Sequence, residues 1–337
     1  MMKHAISKVV EGHNLTREEA ALAMDDIMQG NATPSQIAAL LVALHTKGES
    51  IDEITGFAEK MREHATNIFP QSKNLVDTCG TGGDHANTFN ISTVSAIVAA
   101  AAGVPIAKHG NRSVSSRCGS ADVLEALGVV VDLDSEKVKE CIDKVGFGFI
   151  FAPNFHKAMR FAMPTRKEIG ISTVFNILGP LTNPANAKAQ LLGVFHEDLT
   201  EIMAKVLMNL GTKQAMIVHG NDGLDEISLV EKTRVTELNN GKIETYYIKP
   251  EDFGFLRVKK EELIGGSAEE NAEIALNILD GSEKEAKRNI VLLNAGAAIY
   301  VGEKAKSIKE GILLAQEAID SGKAKNKLTE IINFCRA

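Results

Sequence analysis

The sequence predicts an α/β protein, with a small N-terminal all-helical domain and a larger α/β domain whose mostly parallel central sheet is flanked by helices. Three observations lead there. The first seventy or so residues carry repeated helix start and stop signals and no strand-like run. From Leu75 onward, short apolar runs alternate with amphipathic or alanine-rich stretches, the pattern of a sheet covered on both faces. Residues 154–185 break that alternation with a helical piece, NFHKAMRFAM, and then the Gly-, Pro- and Asn-rich NILGPLTNPAN. The chain is expected to revisit the helical domain there. The expected division is therefore 1–70 with 160–188 for the small domain, and 71–159 with 189–337 for the large one.

The helical start rests on local chemistry. Thr16 with Glu19, Thr33 with Gln36 and Ser50 with Glu53 have the spacing of capping boxes, in which each side chain satisfies the other's backbone N–H. Pro34 stands at the favoured first helical position, and Gly12, Gly30 and Gly48 stand where helices end. Four helices are expected near 3–11, 17–29, 34–47 and 51–65. Strands are expected at 75–78, 104–107, 129–131, 147–151, 190–195, 214–219, 245–248 and 289–293. Antiparallel additions fit 228–248, which lacks a helical period. Ser267 with Glu270 and Ser307 with Glu310 open two later helices.

Composition narrows the function. The chain has 337 residues, 44% of them hydrophobic and 24% charged, the proportions of a folded globular protein. Its net charge of -7 gives no general attraction to nucleic acid or anionic membrane, so any phosphate site must be built locally. The N-terminus lacks an apolar signal core, and the run from Ile91 to Ala107 is alanine-rich and broken by Gly and Pro, unlike a membrane span. Cysteines 79, 118, 141 and 335 show no zinc spacing and fit free thiols in a reducing, cytoplasmic setting.

Four motifs can carry chemistry. Asp77-Thr78-Cys79-Gly80-Thr81-Gly82-Gly83-Asp84 follows a strand and leads through Asn87-Thr88-Phe89-Asn90 into a helix near 92–102. Glycines let the backbone turn its N–H groups toward an anion, and the helix start behind adds positive charge. This is neither a Walker A loop nor a dinucleotide turn, since no GK[ST] follows and Asp84 and His85 occupy the close-packing positions. Alone, it is as readily a tight turn. The second motif runs from Lys108 through His109, Asn111, Arg112, Ser113, Val114, Ser115, Ser116, Arg117 and Cys118 to Ser120. It gathers positive charge and hydroxyls that can grip phosphate oxygens; the plainer reading is a solvated basic loop with Ser120 as an N-cap. The third, Asn221-Asp222-Gly223-Leu224-Asp225-Glu226, puts adjacent carboxylates after a strand, which suits Mg2+; alone, it is an acidic turn. The fourth, Arg166, can clamp a carboxylate or simply close a helix. In open α/β sheets, ligands bind beyond the carboxyl ends of the strands, where three of these motifs fall. Together they imply a substrate with several phosphates and magnesium, without naming the reaction.

DTCGTGGD, FNIST, KHGNRSVSSRCGSADVLEALG, RKEIGISTVFNILGPLTNPA and DGLDE, in this order, resemble the anthranilate phosphoribosyltransferase family. The resemblance implies a hinged two-domain fold like that of pyrimidine nucleoside phosphorylases, a homodimer through the helical domains, and a place in tryptophan biosynthesis. It also implies transfer of a phosphoribosyl group from phosphoribosyl pyrophosphate (PRPP) to the anthranilate amine. Gly80, Thr81, Gly82, Gly83, Asp84, Thr88, Asn90, Ser92, Thr93, Lys108 and Ser120 would bind PRPP. Gly80, His109, Asn111, Arg166 and Pro180 would line the anthranilate side, with Arg166 on its carboxylate. Ser92, Asp225 and Glu226 would hold Mg2+. No obligatory general base is expected. Cys118 stands where a serine or another small residue would be expected. Two alternatives remain, a pyrimidine nucleoside phosphorylase and a catalytically silent homologue that binds nucleic acid.

Overall fold

The computed structural model describes residues 1–84, 86–113 and 117–337. His85 of the first loop and Val114, Ser115 and Ser116 of the second lie outside them.

Four helices come first: α1 (Met2–Val10), α2 (Arg17–Met28), α3 (Pro34–Lys47) and α4 (Ile51–Glu63). Thr16, Thr33 and Ser50 close reciprocal capping boxes on α2, α3 and α4, as their spacing requires. Gly12, Gly30 and Gly48 all have positive φ, the left-handed conformation that ends a helix without a Cβ penalty. Glu53 is fully buried and accepts from Leu15 N–H at 2.9 Å and Ser50 N–H at 2.7 Å, while Lys47 pairs with it at 2.9 Å. One carboxylate thus ties three parts of the bundle.

The sheet and its helices follow: β1 (Val76–Gly80), α5 (Ile91–Ala101), β2 (Ile106–Gly110), α6 (Ser120–Ala126), α7 (Ser135–Val145) and β3 (Phe147–Phe151). Next come three short helices, α8 (Ala152–Phe155), α9 (Met163–Ile169) and α10 (Phe175–Leu178). The chain then resumes with β4 (Ala189–Gly193), α11 (Leu199–Asn209), β5 (Gln214–Gly220), β6 (Thr233–Asn239) and β7 (Lys242–Ile248). It ends with α12 (Ala268–Leu279), α13 (Ala286–Val301), α14 (Ile308–Asp320) and α15 (Lys323–Arg336). The strand order is β3-β2-β1-β4-β5-β6-β7. The first five strands in that order are parallel, while β6 and β7 add antiparallel at one edge. The expected additions within 228–248 are these two.

Two expected strands are absent. Residues 289–293 lie inside α13, because a short apolar run looks the same in a buried helix and a buried strand. Residues 129–131 form an extended link between α6 and α7 that joins no ladder; Val129 and Val131 are buried while Val130 is exposed. The short run of three valines was what made it look like a strand.

One core packs α5, α13 and the C-terminal helices on one side of the sheet. A second joins the four N-terminal helices to α11, to Leu192 and Ile217 of the sheet, and to Ala162, Phe175 and Leu178 of the interrupting segment. Between β1 and β4 the chain reverses its direction of travel across the sheet, from the β2–β3 side to the β5 side. A crevice opens at such a switch point. Among the described residues, no helix is long and apolar enough to cross a membrane.

Candidate active site

The loops after β1, β2 and β5 meet around an open cleft of about 260 Å³. Gly80, Gly82, Gly83, Asp84, Thr88, Asn90, Ser92 and Thr93 line it from the first loop and the start of α5. Lys108, His109, Asn111 and Ser120 line it from the second loop, and Asp225 and Glu226 from the third. Thr81, Arg166 and Pro180 do not line it.

Backbone geometry builds the phosphate side. Gly82 and Gly83 have φ of 65° and 82°, so the loop turns as only glycine does readily. Thr81 is structural here: its N–H donates to Gly193 O at 2.9 Å, and its hydroxyl accepts from Phe195 N–H at 3.1 Å. Asn90 caps α5 without a side-chain bond to the helix; the Ile91 N–H donates to Phe89 O at 2.7 Å and the Thr93 N–H to Asn90 O at 3.1 Å, while the Ser92 N–H serves Glu226. Thr93 Oγ1 is buried there without a partner.

The acidic loop is held very close. Asp225 Oδ2 accepts from Gly82 N–H at 3.0 Å, which joins the first and third loops. A Cβ on Gly80 would lie 2.4 Å from that carboxylate oxygen, and one on Gly193 would lie 1.5 Å from the Asp225 carbonyl oxygen. Burial first, then the charge of Asp84, pushes the Asp225 carboxyl up to about 7. Burial and Asp225 push Glu226 well above the usual carboxylate range, opposed by Lys108 and by the Ser92 N–H. Nearby positive charge would ease the ionisation of carboxylates crowded in this way. Among the described residues, no three His, Cys, Asp or Glu side chains form a ready metal cluster. The expected set, two carboxylates and the Ser92 hydroxyl, is hard oxygen chemistry that leaves room for substrate oxygens, as Mg2+ requires.

Lys108 is buried beneath the cleft. Its Nζ donates to Thr78 O and, at 3.2 Å, to Ser92 Oγ, leaving one of three protons for a ligand. Burial lowers its pKa, with Asp77 opposing. Asp77 Oδ1 accepts from His109 N–H at 3.1 Å and so fixes the end of β2. The other cations of that loop do not line the cleft. Arg112 pairs with Asp122 at 3.0 Å and Glu125 at 2.6 Å and lies over the Phe151 ring, while Arg117 is exposed. Of the three cations expected to concentrate charge there, Lys108 lines the cleft, while Arg112 is neutralised by acids on α6. Gly119, and not Ser120, is the N-cap of α6; the Ser120 hydroxyl donates to Asn111 O at 3.1 Å.

On the far side, His109 Nδ1 lies 3.2 Å from Gly179 O, and Pro180 is the next residue; its carbonyl accepts from Gln190 Nε2 at 2.7 Å. The interrupting segment is thereby pinned beside the cleft. The His109 ring lies 5.1 Å from that of His156. Arg166, in α9, stacks over Phe175 at 4.9 Å. Burial lowers its pKa, and among the described residues no carboxylate pairs with it, as befits a cation awaiting an anion.

Sequence reasoning missed Gly193 and Asn271. A single strand glycine carries no signal of what approaches it. Asn271 offered none either, since it is the fourth residue after the N-cap Ser267, in a first turn where asparagine is ordinary.

Comparison with known proteins adds chemistry to this geometry. Residues 3–65 match the Glycosyl transferase family, helical bundle domain, and residues 72–325 match the Glycosyl transferase family, a/b domain. The chain is 59% identical to the anthranilate phosphoribosyltransferase of Acetivibrio thermocellus over 334 residues, which is 99% of this chain and 96% of that protein. The crystal structure of anthranilate phosphoribosyltransferase from Thermus thermophilus superposes with a TM-score of 0.94 at 46% identity, covering 99% of each chain. The Saccharomyces cerevisiae enzyme in complex with PRPP and Mg gives a TM-score of 0.90 at 28% identity, over 99% of this chain and 98% of that one.

Proposed function

We infer the reaction from the family to which this chain belongs, the glycosyl transferases with a helical bundle and an a/b domain, and within it the anthranilate phosphoribosyltransferases. The chain transfers a 5-phosphoribosyl group from PRPP to the anthranilate amine, giving N-(5-phosphoribosyl)anthranilate and pyrophosphate, a step of tryptophan biosynthesis. The observation that carries this is the identity of 59% across nearly the whole chain, joined to a cleft whose three loops offer phosphate and cation chemistry. The same identity favours the transferase over both a nucleoside phosphorylase and a silent nucleic-acid-binding homologue.

We assign the residues as follows. Gly80, Gly82, Gly83 and Asp84 with Thr88, Asn90, Ser92 and Thr93 hold PRPP, aided by Lys108 and Ser120, while Thr81, expected among them, keeps the shape of the loop. His109, Asn111, Arg166, Pro180 and Gly80 take anthranilate, with the unpaired Arg166 guanidinium on its carboxylate. Ser92, Asp225 and Glu226 hold Mg2+, a metal found with PRPP in the yeast relative. When bound, Mg2+ supplies positive charge to the departing pyrophosphate.

The chain's own residues supply the rest. As the bond from ribose C1 to pyrophosphate lengthens, negative charge grows on the leaving oxygens. The Lys108 ammonium, which keeps one proton for a ligand, and the glycine loop that lines the cleft stabilise it. The anthranilate amine is neutral near pH 7, so its lone pair needs placement more than deprotonation, and no side chain is required as a base. Holding both substrates in line removes an estimated ~7–11 kcal/mol of barrier.

We further propose that 1–70 with 160–188 acts as a small domain hinged on 71–159 with 189–337. The second core, which joins Ala162 and Phe175 to the first four helices, supports the first grouping. Exposed Val10, Leu22 and Val42 on those helices support a homodimer through the helical domain. The four free cysteines fit a cytoplasmic location. The reaction is tested by release of pyrophosphate from PRPP that requires both anthranilate and Mg2+. Release on adding inorganic phosphate and a pyrimidine nucleoside instead would overturn it.

A further inference from the structure

Three segments far apart in sequence meet behind the phosphate side of the cleft, and one side chain links them. Asn271, in α12, is buried. Its Oδ1 accepts from Gly266 N–H at 2.7 Å, and its Nδ2 donates to Asn90 Oδ1 at 3.0 Å. Asn90 Nδ2 in turn donates to Cys118 O at 3.1 Å, in the second loop. The stretch before α12 is itself stitched to the first loop. Thr88 bridges Ile264, Gly265 N–H donates to Asn87 O at 3.0 Å, and Phe89 N–H donates to Leu263 O at 3.3 Å. A Cβ on Gly265 would lie 2.6 Å from Asn271 Oδ1 and 2.7 Å from Phe89 N, so the approach depends on glycine.

We propose that Asn271 is a positioning residue for the transfer reaction, acting through Asn90. This role depends on PRPP binding at the glycine loop and the α5 start, as proposed above. An asparagine amide has a donor end and an acceptor end, and an anion site needs the donor end. Asn271 is a donor to Asn90, so it fixes Asn90 Oδ1 away from the ligand. That leaves the second Nδ2 proton of Asn90 available to the cleft, which Asn90 lines. Without Asn271, the Asn90 amide can turn and present a carbonyl oxygen to pyrophosphate. The same bonds hold the first loop to the second and to the 263–266 stretch, so the three move together.

The test compares Asn271→Ala and Asn271→Asp with the parent chain, measuring KM for each substrate, kcat and thermal midpoint. Asp keeps the volume and the acceptor for Gly266 N–H but loses the donor to Asn90. Both variants are expected to raise KM for PRPP about tenfold, the order of one charge-assisted bond, and to change KM for anthranilate less than about twofold. A merely structural role would move both constants together with the thermal midpoint. In an Asn90→Ala background, Asn271→Ala is expected to raise KM for PRPP far less than it does alone, because its path through Asn90 is already cut while its bond to Gly266 is lost in both. An unchanged KM for PRPP in either variant, or a full additive loss in the double variant, overturns the proposal. Should Asn271→Ala not fold, Asn271→Asp carries the same decision. A parent chain that released no pyrophosphate with both substrates present would instead defeat the reaction assignment.

Discussion

Replacing Gly193 by alanine makes the most direct use of the site's packing. Gly193 ends β4 and touches no proposed substrate, yet its Cα faces the Asp225 backbone. The added methyl would start 1.5 Å from the Asp225 carbonyl oxygen and 2.5 Å from its carbonyl carbon. Carbon and oxygen rest at roughly 3.3–3.6 Å, so the acidic loop must retreat by about 2 Å. A misplacement of about 1 Å is enough to cost roughly a hundredfold in rate, and metal ligands tolerate only about 0.2 Å. We therefore expect kcat/KM to fall at least about a hundredfold, or ~2.7 kcal/mol of transition-state stabilisation, with the Mg2+ requirement shifted to higher concentration. Overpacking costs about 1–3 kcal/mol of stability, which a domain of ordinary stability survives. The assay is steady-state pyrophosphate release across a Mg2+ titration, beside a thermal melt. Activity within about twofold of the parent, at unchanged Mg2+ dependence, would refute the claim that β4 and the acidic loop are packed without slack.

Three further outcomes are expected. Asp225→Asn with Glu226→Gln should lower turnover and alter the Mg2+ dependence; an unchanged titration in the double variant would remove these residues from the metal site. Arg166→Ala should weaken anthranilate binding by one charge-assisted contact, about tenfold or more, and leave PRPP affinity nearly unchanged; the opposite pattern would misplace Arg166. Burial lowers His109 to about 3, with a further contribution from neighbouring His156, and lowers His156 to about 4. The unfolded chain takes up these protons from about pH 6.5 downward while the folded chain does not. The stability contribution is complete above pH 6.5 and is lost as pH falls toward 4 and 3, by at most about 1.4 kcal/mol per pH unit for each ring. Urea midpoints between pH 7.5 and 5 should therefore fall less steeply in His156→Gln than in the parent, and parallel slopes would contradict this.

Much of this was legible in the sequence because it is written in local chemistry. The capping pairs at Thr16, Thr33 and Ser50 define helices whichever way they pack. The strand-end loops at Gly80, Lys108 and Asp225 follow from the alternation of elements and the rule that ligands gather at carboxyl ends. What escaped depends on distant neighbours. Residues 289–293 read as a strand because a wholly buried helix loses its amphipathic period. Arg112 counted toward the positive charge of the second loop because nothing local reveals that Asp122 and Glu125 on α6 face back toward it. Gly193 and Asn271 meet Asp225 and Asn90 across long stretches of chain, and such separations leave no pattern in a single sequence. Arg166 was placed by resemblance; the structure adds its stacking on Phe175 and its lack of a carboxylate partner.

The central claim is that this cleft joins anthranilate to the ribose of PRPP. The chain contains no tryptophan, so anthranilate fluorescence can be followed without that background. Mixing protein, Mg2+, PRPP and anthranilate should quench the fluorescence with one pyrophosphate released per anthranilate consumed, and omitting any one component should abolish the change. Steady fluorescence with folded protein and all components present would contradict the account.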